Sequence, residues 1–242
     1  MPGQTRRDSA IPARLRLVWD LVADALAQSG LTEPDVLDCG GGSGTFAVPL
    51  ARAGARVTVV DISVDALATL QRRAIEAGVA ELVRPVQADV EALDHAVPLA
   101  SFDLALAHGI LEEVDDLGSA IAAIAATIRP GGLLSVVVTN PAAGVLARAL
   151  GGDLSGALDD LRVLDDLDAK FGPSAVQAAC LAAGLTVEQV HGVGVFSELV
   201  PGSALDQPGA ADALAELDAQ VAARAPFTDV AARVHVLARR AS

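Results

Sequence analysis

Apolar and polar positions alternate in blocks of two kinds along this chain. Between residues 12 and 29, Leu15, Val18, Leu21, Val22, Ala25 and Leu26 recur near helical spacing, which predicts an amphipathic helix that Gly30 stops. Short apolar runs of strand length follow at 35–39, 56–60, 82–87, 102–107 and 133–138. Helical patterns at 45–53, 63–77 and 117–128 separate them, the second with Ser63 as its N-cap. Five strands alternating with helices predict a parallel, doubly wound sheet.

After Thr139 the alternation breaks. Residues 140–171 carry a helical stretch and the acids Asp159, Asp160, Asp165, Asp166 and Asp168, and are expected to lie as a cap over the carboxyl ends of the strands. A helix at 173–183, a strand at 185–195, a second insertion at 197–230 and a last strand at 234–238 complete the chain. The two final strands predict an antiparallel edge hairpin. The expected fold is therefore α/β: a Rossmann-like, seven-stranded, mostly parallel sheet with an antiparallel edge strand and helices on both faces. No linker composition interrupts it, so residues 1–242 are read as one domain.

The chemistry concentrates in Asp38-Cys39-Gly40-Gly41-Gly42-Ser43-Gly44, between the first strand and the next helix. Glycines there allow positive φ and close approach of a ligand. Spaced as D-x-G-x-G-x-G, the loop uses Asp38, Gly40, Gly42 and Gly44; spaced as G-x-G-x-x-A, it is a loose dinucleotide fingerprint of Gly42, Gly44 and Ala47. Charge separates the two readings. A carboxylate at Asp38 repels a pyrophosphate seated on the helix N-terminus. It attracts the ammonium and sulfonium of S-adenosylmethionine (SAM). Asp61 ends the second strand about twenty residues after the loop, where a carboxylate accepts ribose hydroxyls; it can also serve as an N-cap. Asp89 follows the third strand, placed either for an adenine amine or as a solvated loop acid.

Composition narrows the partners. The formal net charge of −14 lowers the expectation of a large nucleic-acid surface. Aromatics are 2% of the chain, which leaves Phe171, Phe196 and Phe227 as the candidates near the insertions for stacking a base. Cys39 and Cys180 lie far apart without metal-ligand spacing, so two buried free thiols and no metal site are expected. Met1–Asp8 lacks the apolar stretch of a signal peptide, and no apolar run reaches membrane-spanning length. A soluble, cytoplasmic protein without a membrane partner is expected.

The glycine loop, Asp61, Gln87-Ala88-Asp89 and Arg129-Pro130-Gly131-Gly132 together resemble class I SAM-dependent methyltransferases over residues 36–138. Four further segments are similar to the bacterial tRNA methyltransferases that esterify the carboxylate of 5-carboxymethoxyuridine: Arg14–Trp19, His108–Glu112, Gly192–Phe196 and Val234–Arg239. The resemblance implies SAM as cofactor and S-adenosyl-L-homocysteine as product. It implies that Arg14 meets the SAM carboxylate, Gly40 and Gly41 pack on the methionine part, Asp61 binds the ribose, the adjoining Ile62 belongs to the cofactor site, Gln87 and Ala88 flank adenine, and His108 lies beside the cofactor. In that family a run of lysines follows the fifth strand; here the stretch is acidic.

Three classes of function follow. A tRNA carboxyl methyltransferase needs a local basic path, and Arg148 and Arg162 are its candidates for gripping a carboxylate. A small-molecule O- or N-methyltransferase needs a closed acceptor pocket, with His108 as general base and His191 a distant second. A non-catalytic SAM-binding module needs neither.

Overall fold

The computed structural model describes residues 15–241. Its strands are β1 (Asp35–Cys39), β2 (Arg56–Asp61), β3 (Val83–Gln87), β4 (Phe102–His108), β5 (Ile128–Thr139), β6 (Leu185–Val193) and β7 (Arg233–Arg240). They form one seven-stranded sheet in the order β3-β2-β1-β4-β5-β7-β6. Pairs from β3 through β5 are parallel. β7 is antiparallel to β5 on one side and to β6 on the other. The reversed strand therefore lies one place in from the edge, and β6, at the edge, runs with the rest.

The helices are α1 (Arg16–Ser29), α2 (Ala47–Arg52), α3 (Val64–Glu76), α4 (Leu93–Ala96), α5 (Leu117–Thr127), α6 (Pro141–Leu150), α7 (Leu154–Phe171), α8 (Pro173–Ala182), α9 (Ala210–Val221) and α10 (Phe227–Val230). Their ends follow local chemistry. Gly30 closes α1 in the left-handed region at φ 69°. The Ser63 hydroxyl accepts from Ala66 N at 3.2 Å at the start of α3, and Asp116 accepts from Ser119 N at 2.7 Å at the start of α5.

Successive side chains of a strand point to opposite faces, and the core divides accordingly. Leu37, Ala105, Leu134 and Val236 pack with α5 and α8 on one face. Val36, Leu104, Val137 and Leu237 pack with α1, α2 and α3 on the other. Alternation carries Asp38, His108, Ser135, His235 and His191 to this second face.

The Arg129-Pro130-Gly131-Gly132 stretch is a bulge inside β5, which therefore starts at Ile128, five residues before the predicted strand. Arg129 pairs with Asp35 at 2.8 Å and Asp103 at 2.6 Å, tying the amino ends of β1 and β4 to the bulge. This motif serves the end of the sheet away from the cleft. The second insertion builds a small core of Val195, Val221 and Ala231 with Phe196 and Phe227. Two of the three phenylalanines considered for base stacking are thereby packed inside, and Phe171 packs against the main core. Among the described residues no helix is long and apolar enough to cross a membrane.

Candidate active site

The strand order reverses between β1 and β4, and a doubly wound sheet opens a crevice at that switch point, outside the carboxyl ends of its strands. The cleft here has two sections that share Gly40 and Gly109. The first, about 360 Å³, is lined by Asp61, Ile62, Ala88, Asp89, Glu91 and Ile110 among others. The second, about 280 Å³, is lined by Leu15, Asp38, Gly41, Phe46, His108, Val137 and Arg233 among others.

The glycine loop is pinned from several directions. Gly40 N donates to Val60 O at 2.7 Å, and Gly42 N to the Asp61 carboxylate at 2.9 Å. The other Asp61 oxygen accepts from the N–H of Ser63, the N-cap of α3, at 2.8 Å, so Asp61 fixes the turn into α3 and holds the loop at once. Arg73 of α3 donates to Ser43 O at 2.8 Å. Gly40 has φ 65°, and a Cβ there would come within 2.8 Å of Ile110. Gly44 has φ 82°, and a Cβ there would come within 2.3 Å of the buried Leu70. Strain and overpacking act together at this position, so Gly44→Ala should cost roughly 2–4 kcal/mol. A urea midpoint unchanged from wild type would refute the close packing of loop against α3.

Asp38 is the buried acid of the site. It is 3% exposed, and its Oδ2 has no hydrogen-bond partner among the described residues. Burial pushes its carboxyl up to about 7, and the Asp61 charge adds to the rise. An unpartnered buried carboxylate oxygen is costly unless a donor meets it; a ligand ammonium is such a donor. The cleft also carries Asp61, Asp89, Glu91, Glu113 and Asp115. This lining fits a cationic ligand and disfavours a pyrophosphate.

His108 ends β4 with its Nε2 2.9 Å from Ser135 Oγ. Phe46 meets its ring edge-on at 4.6 Å between centroids. Burial pushes the imidazole down to about 3, so the ring is neutral at pH 7.

Most of the expected site residues meet in this cleft. Gly42 and Gly44 shape the loop behind it. Asp89 lines the first section while its Oδ1 accepts from Glu91 N at 2.9 Å, so it also caps a short turn. Gln87 is not among the lining residues; its amide reaches Ile62 O at 3.4 Å. Arg14 lies outside the described residues. Arg148 and Arg162 are not brought to the cleft: Arg148 pairs with Asp153 at 3.1 Å and Asp160 at 2.5 Å, and Arg162 with Asp159 at 2.5 Å. Neither α6 nor α7 contributes a lining residue to either section. These helices pack on α10 and α8, beside the β7–β6 half of the sheet. Phe46, Val137 and Arg233 were missed. Arg233 follows the second insertion and reaches the cleft only because β7 pairs with β5, a pairing with no local signal. The described residues hold no group of three or more His, Cys, Asp or Glu that could bind a metal, and Cys39 and Cys180 are buried free thiols.

A doubly wound sheet with a carboxylate-lined cleft at its switch point is built to seat a cationic ligand outside the strand ends. Residues 37–136 match the family model described as a methyltransferase domain. The chain is 35% identical over 181 residues to the ubiquinone biosynthesis O-methyltransferase of Paracidovorax citrulli (strain AAC00-1), covering 74% of this chain and 72% of that protein. It is 27% identical over 232 residues to the tRNA 5-carboxymethoxyuridine methyltransferase of Escherichia coli (strain K12), covering 94% of this chain and 88% of that one. The crystal structure of the [4+2]-cyclase SpnF superposes with a TM-score of 0.60 at 22% identity, covering 93% of this chain and 80% of that one, a likeness of fold alone. The chain belongs to the class I SAM-dependent methyltransferases. It is an enzyme that takes its methyl group from SAM.

Proposed function

We propose that this methyltransferase acts in the cytoplasm on a small molecule, methylating a hydroxyl oxygen. The observation that carries the reading is the second section of the cleft. Leu15, Phe46 and Val137 make its wall apolar, and the neutral His108 stands on it. Its one arginine, Arg233, is paired with Glu198 at 3.3 Å. The arginines of α6 and α7 are paired with aspartates, and among the described residues neither helix brings a basic side chain to the cleft.

SAM, when bound, supplies a methyl group already activated for in-line displacement, so the protein contributes mainly position and proton handling. In this reading Asp38 meets the ammonium, Asp61 the ribose, and Ile62, Ala88 and Asp89 the adenine. His108 takes the proton of the acceptor hydroxyl. A neutral, buried imidazole is a weak base in the free protein. The sulfonium charge disappears, however, as the ring gains one, so the positive charge held among these carboxylates is unchanged.

A second reading, a carboxylate on tRNA, is favoured by the relative that spans nearly the whole chain and by Arg233 at the cleft. Incubation with methyl-labelled SAM distinguishes them, using two fractions of cells lacking the gene: a low-molecular-weight ultrafiltrate and bulk tRNA. Label is expected in the ultrafiltrate, in a base-stable ether. Label in tRNA, released by mild alkali as methanol, would overturn the first reading in favour of the second. SAM binding without label in either fraction would leave a non-catalytic module.

A further inference from the structure

The second face of the sheet carries a polar row that the cleft does not explain. His108 Nε2 lies 2.9 Å from Ser135 Oγ, and the same oxygen lies 2.9 Å from His235 Nε2. The two rings flank β5, each opposite Val137 in register, and Ser135 bridges them diagonally from two positions upstream. Ser135 and His235 are completely buried. The Nδ1 atoms of His108 and His235 are both buried and have no hydrogen-bond partner among the described residues. His191 of the edge strand stacks on His235 at 5.7 Å between centroids, without a hydrogen bond between them. A buried polar group with this little company is expensive in a sheet otherwise filled with Val, Leu and Ala.

We propose that Ser135 and His235 are positioning residues that hold His108 in a coupled tautomer. Proton counting gives the coupling. Burial keeps both rings neutral, pushing each down to about 3, so each carries one ring hydrogen. A serine hydroxyl has one hydrogen and can donate to one of the two Nε2 atoms. The other Nε2 must then carry a hydrogen and donate to Oγ, or two lone pairs face each other at 2.9 Å. Two Nε2–H groups donating to the two lone pairs of Oγ would strand the serine hydrogen, which is buried without another acceptor among the described residues, so the two histidines hold opposite tautomers. With hydrogen on Nε2 of His108, its Nδ1 is a bare acceptor; with the row reversed, its Nδ1 is a donor.

The first arrangement suits the hydroxyl acceptor of the proposed function, on which this part of the inference rests. In that reading the acceptor O–H breaks and its hydrogen goes to His108 Nδ1, an atom buried in the free protein that the bound acceptor has to reach from the cleft, while the oxygen's electron pair forms the bond to the methyl carbon. The S–C electron pair stays on sulfur as the neutral thioether. His108 keeps its Nε2 hydrogen, donated to Ser135 Oγ, while the serine hydroxyl goes on donating to His235 Nε2. The charge rests on His108 beside the cleft carboxylates, and its proton returns to solvent after product leaves.

Histidine tautomers are read directly from long-range ¹H–¹⁵N correlations of the ¹⁵N-labelled full chain with S-adenosyl-L-homocysteine present. The chain has four histidines, and His235→Phe, His191→Gln and His95→Gln assign the signals. One of His108 and His235 is expected as Nδ1–H and the other as Nε2–H. Ser135→Ala should abolish the opposition and Ser135→Thr should keep it. The same tautomer on both wild-type rings overturns the proposal whether or not any variant folds, as does an opposition that survives Ser135→Ala. With an acceptor from the ultrafiltrate, Ser135→Ala should lower kcat at least about 10-fold with KM unchanged. Opposite tautomers without turnover of any hydroxyl acceptor would sink the acceptor reading and leave the row standing.

Discussion

Replacing Asp61 with alanine is expected to weaken SAM binding by at least about 100-fold, the equivalent of two lost hydrogen bonds to a charged acceptor. Asp61 does two jobs with two oxygens. One holds Gly42 N at 2.9 Å and the other Ser63 N at 2.8 Å, and a carboxylate keeps lone pairs beyond these for ribose hydroxyls. Alanine removes the ribose acceptor and unpins the loop together. The two losses are separable with a ligand lacking one ribose hydroxyl. If the ribose contact dominates, the variant should barely distinguish that ligand from the complete one, whereas the wild type should prefer the complete one about tenfold or more. If the loop dominates, both proteins should discriminate equally. Calorimetry giving wild-type SAM affinity for Asp61→Ala would sink the assignment.

How far such residues can be read from the chain depends on how local their signals are. The loop from Asp38 to Gly44 and the acids at Asp61 and Asp89 stand within one strand–turn–helix step of one another. Their spacing carries their geometry, and the structure gathers them in one cleft. The insertion at 140–171 shows the limit. Its helical pattern is legible, and it folds as α6 and α7. Nothing in the pattern says on which side of the sheet a helix pair will stack, and it packs on α8 and α10. Arg148 and Arg162 went with it, into pairs with aspartates of their own segment. The polar row is the extreme case. Ser135 is 27 residues from His108 and 100 from His235. The three meet only because the last strand turns back between β5 and β6. A serine in an apolar strand and a histidine near the C-terminus give no warning of each other.

Asp38 carries the opposite lesson, since its position is legible but its cost is not. Its carboxyl titrates near 7 in the free protein, against about 3.9 in an unfolded chain. Between these values the folded state binds a proton that the unfolded state does not. The group's stabilising contribution is therefore full below about pH 4 and is lost as pH rises through 7, a swing on the order of 4 kcal/mol. Asp38→Asn removes that titration. The variant should melt close to wild type at pH 4 and well above it at pH 8, in the absence of cofactor.

The same change should damage function. A SAM ammonium meeting Asp38 draws the carboxyl back to its charged form, so wild-type binding at pH 6 should release about one proton, and Asp38→Asn should release none. Affinity at pH 8 should fall about 100-fold in the variant. Titrations in two buffers of different ionisation enthalpy measure both quantities. A stabilised Asp38→Asn that binds SAM as tightly as wild type would show the buried acid to be a structural burden without a ligand partner. Stability gained and affinity lost in one substitution would mark it as the cation's seat, a destabilising charge kept for what binds there.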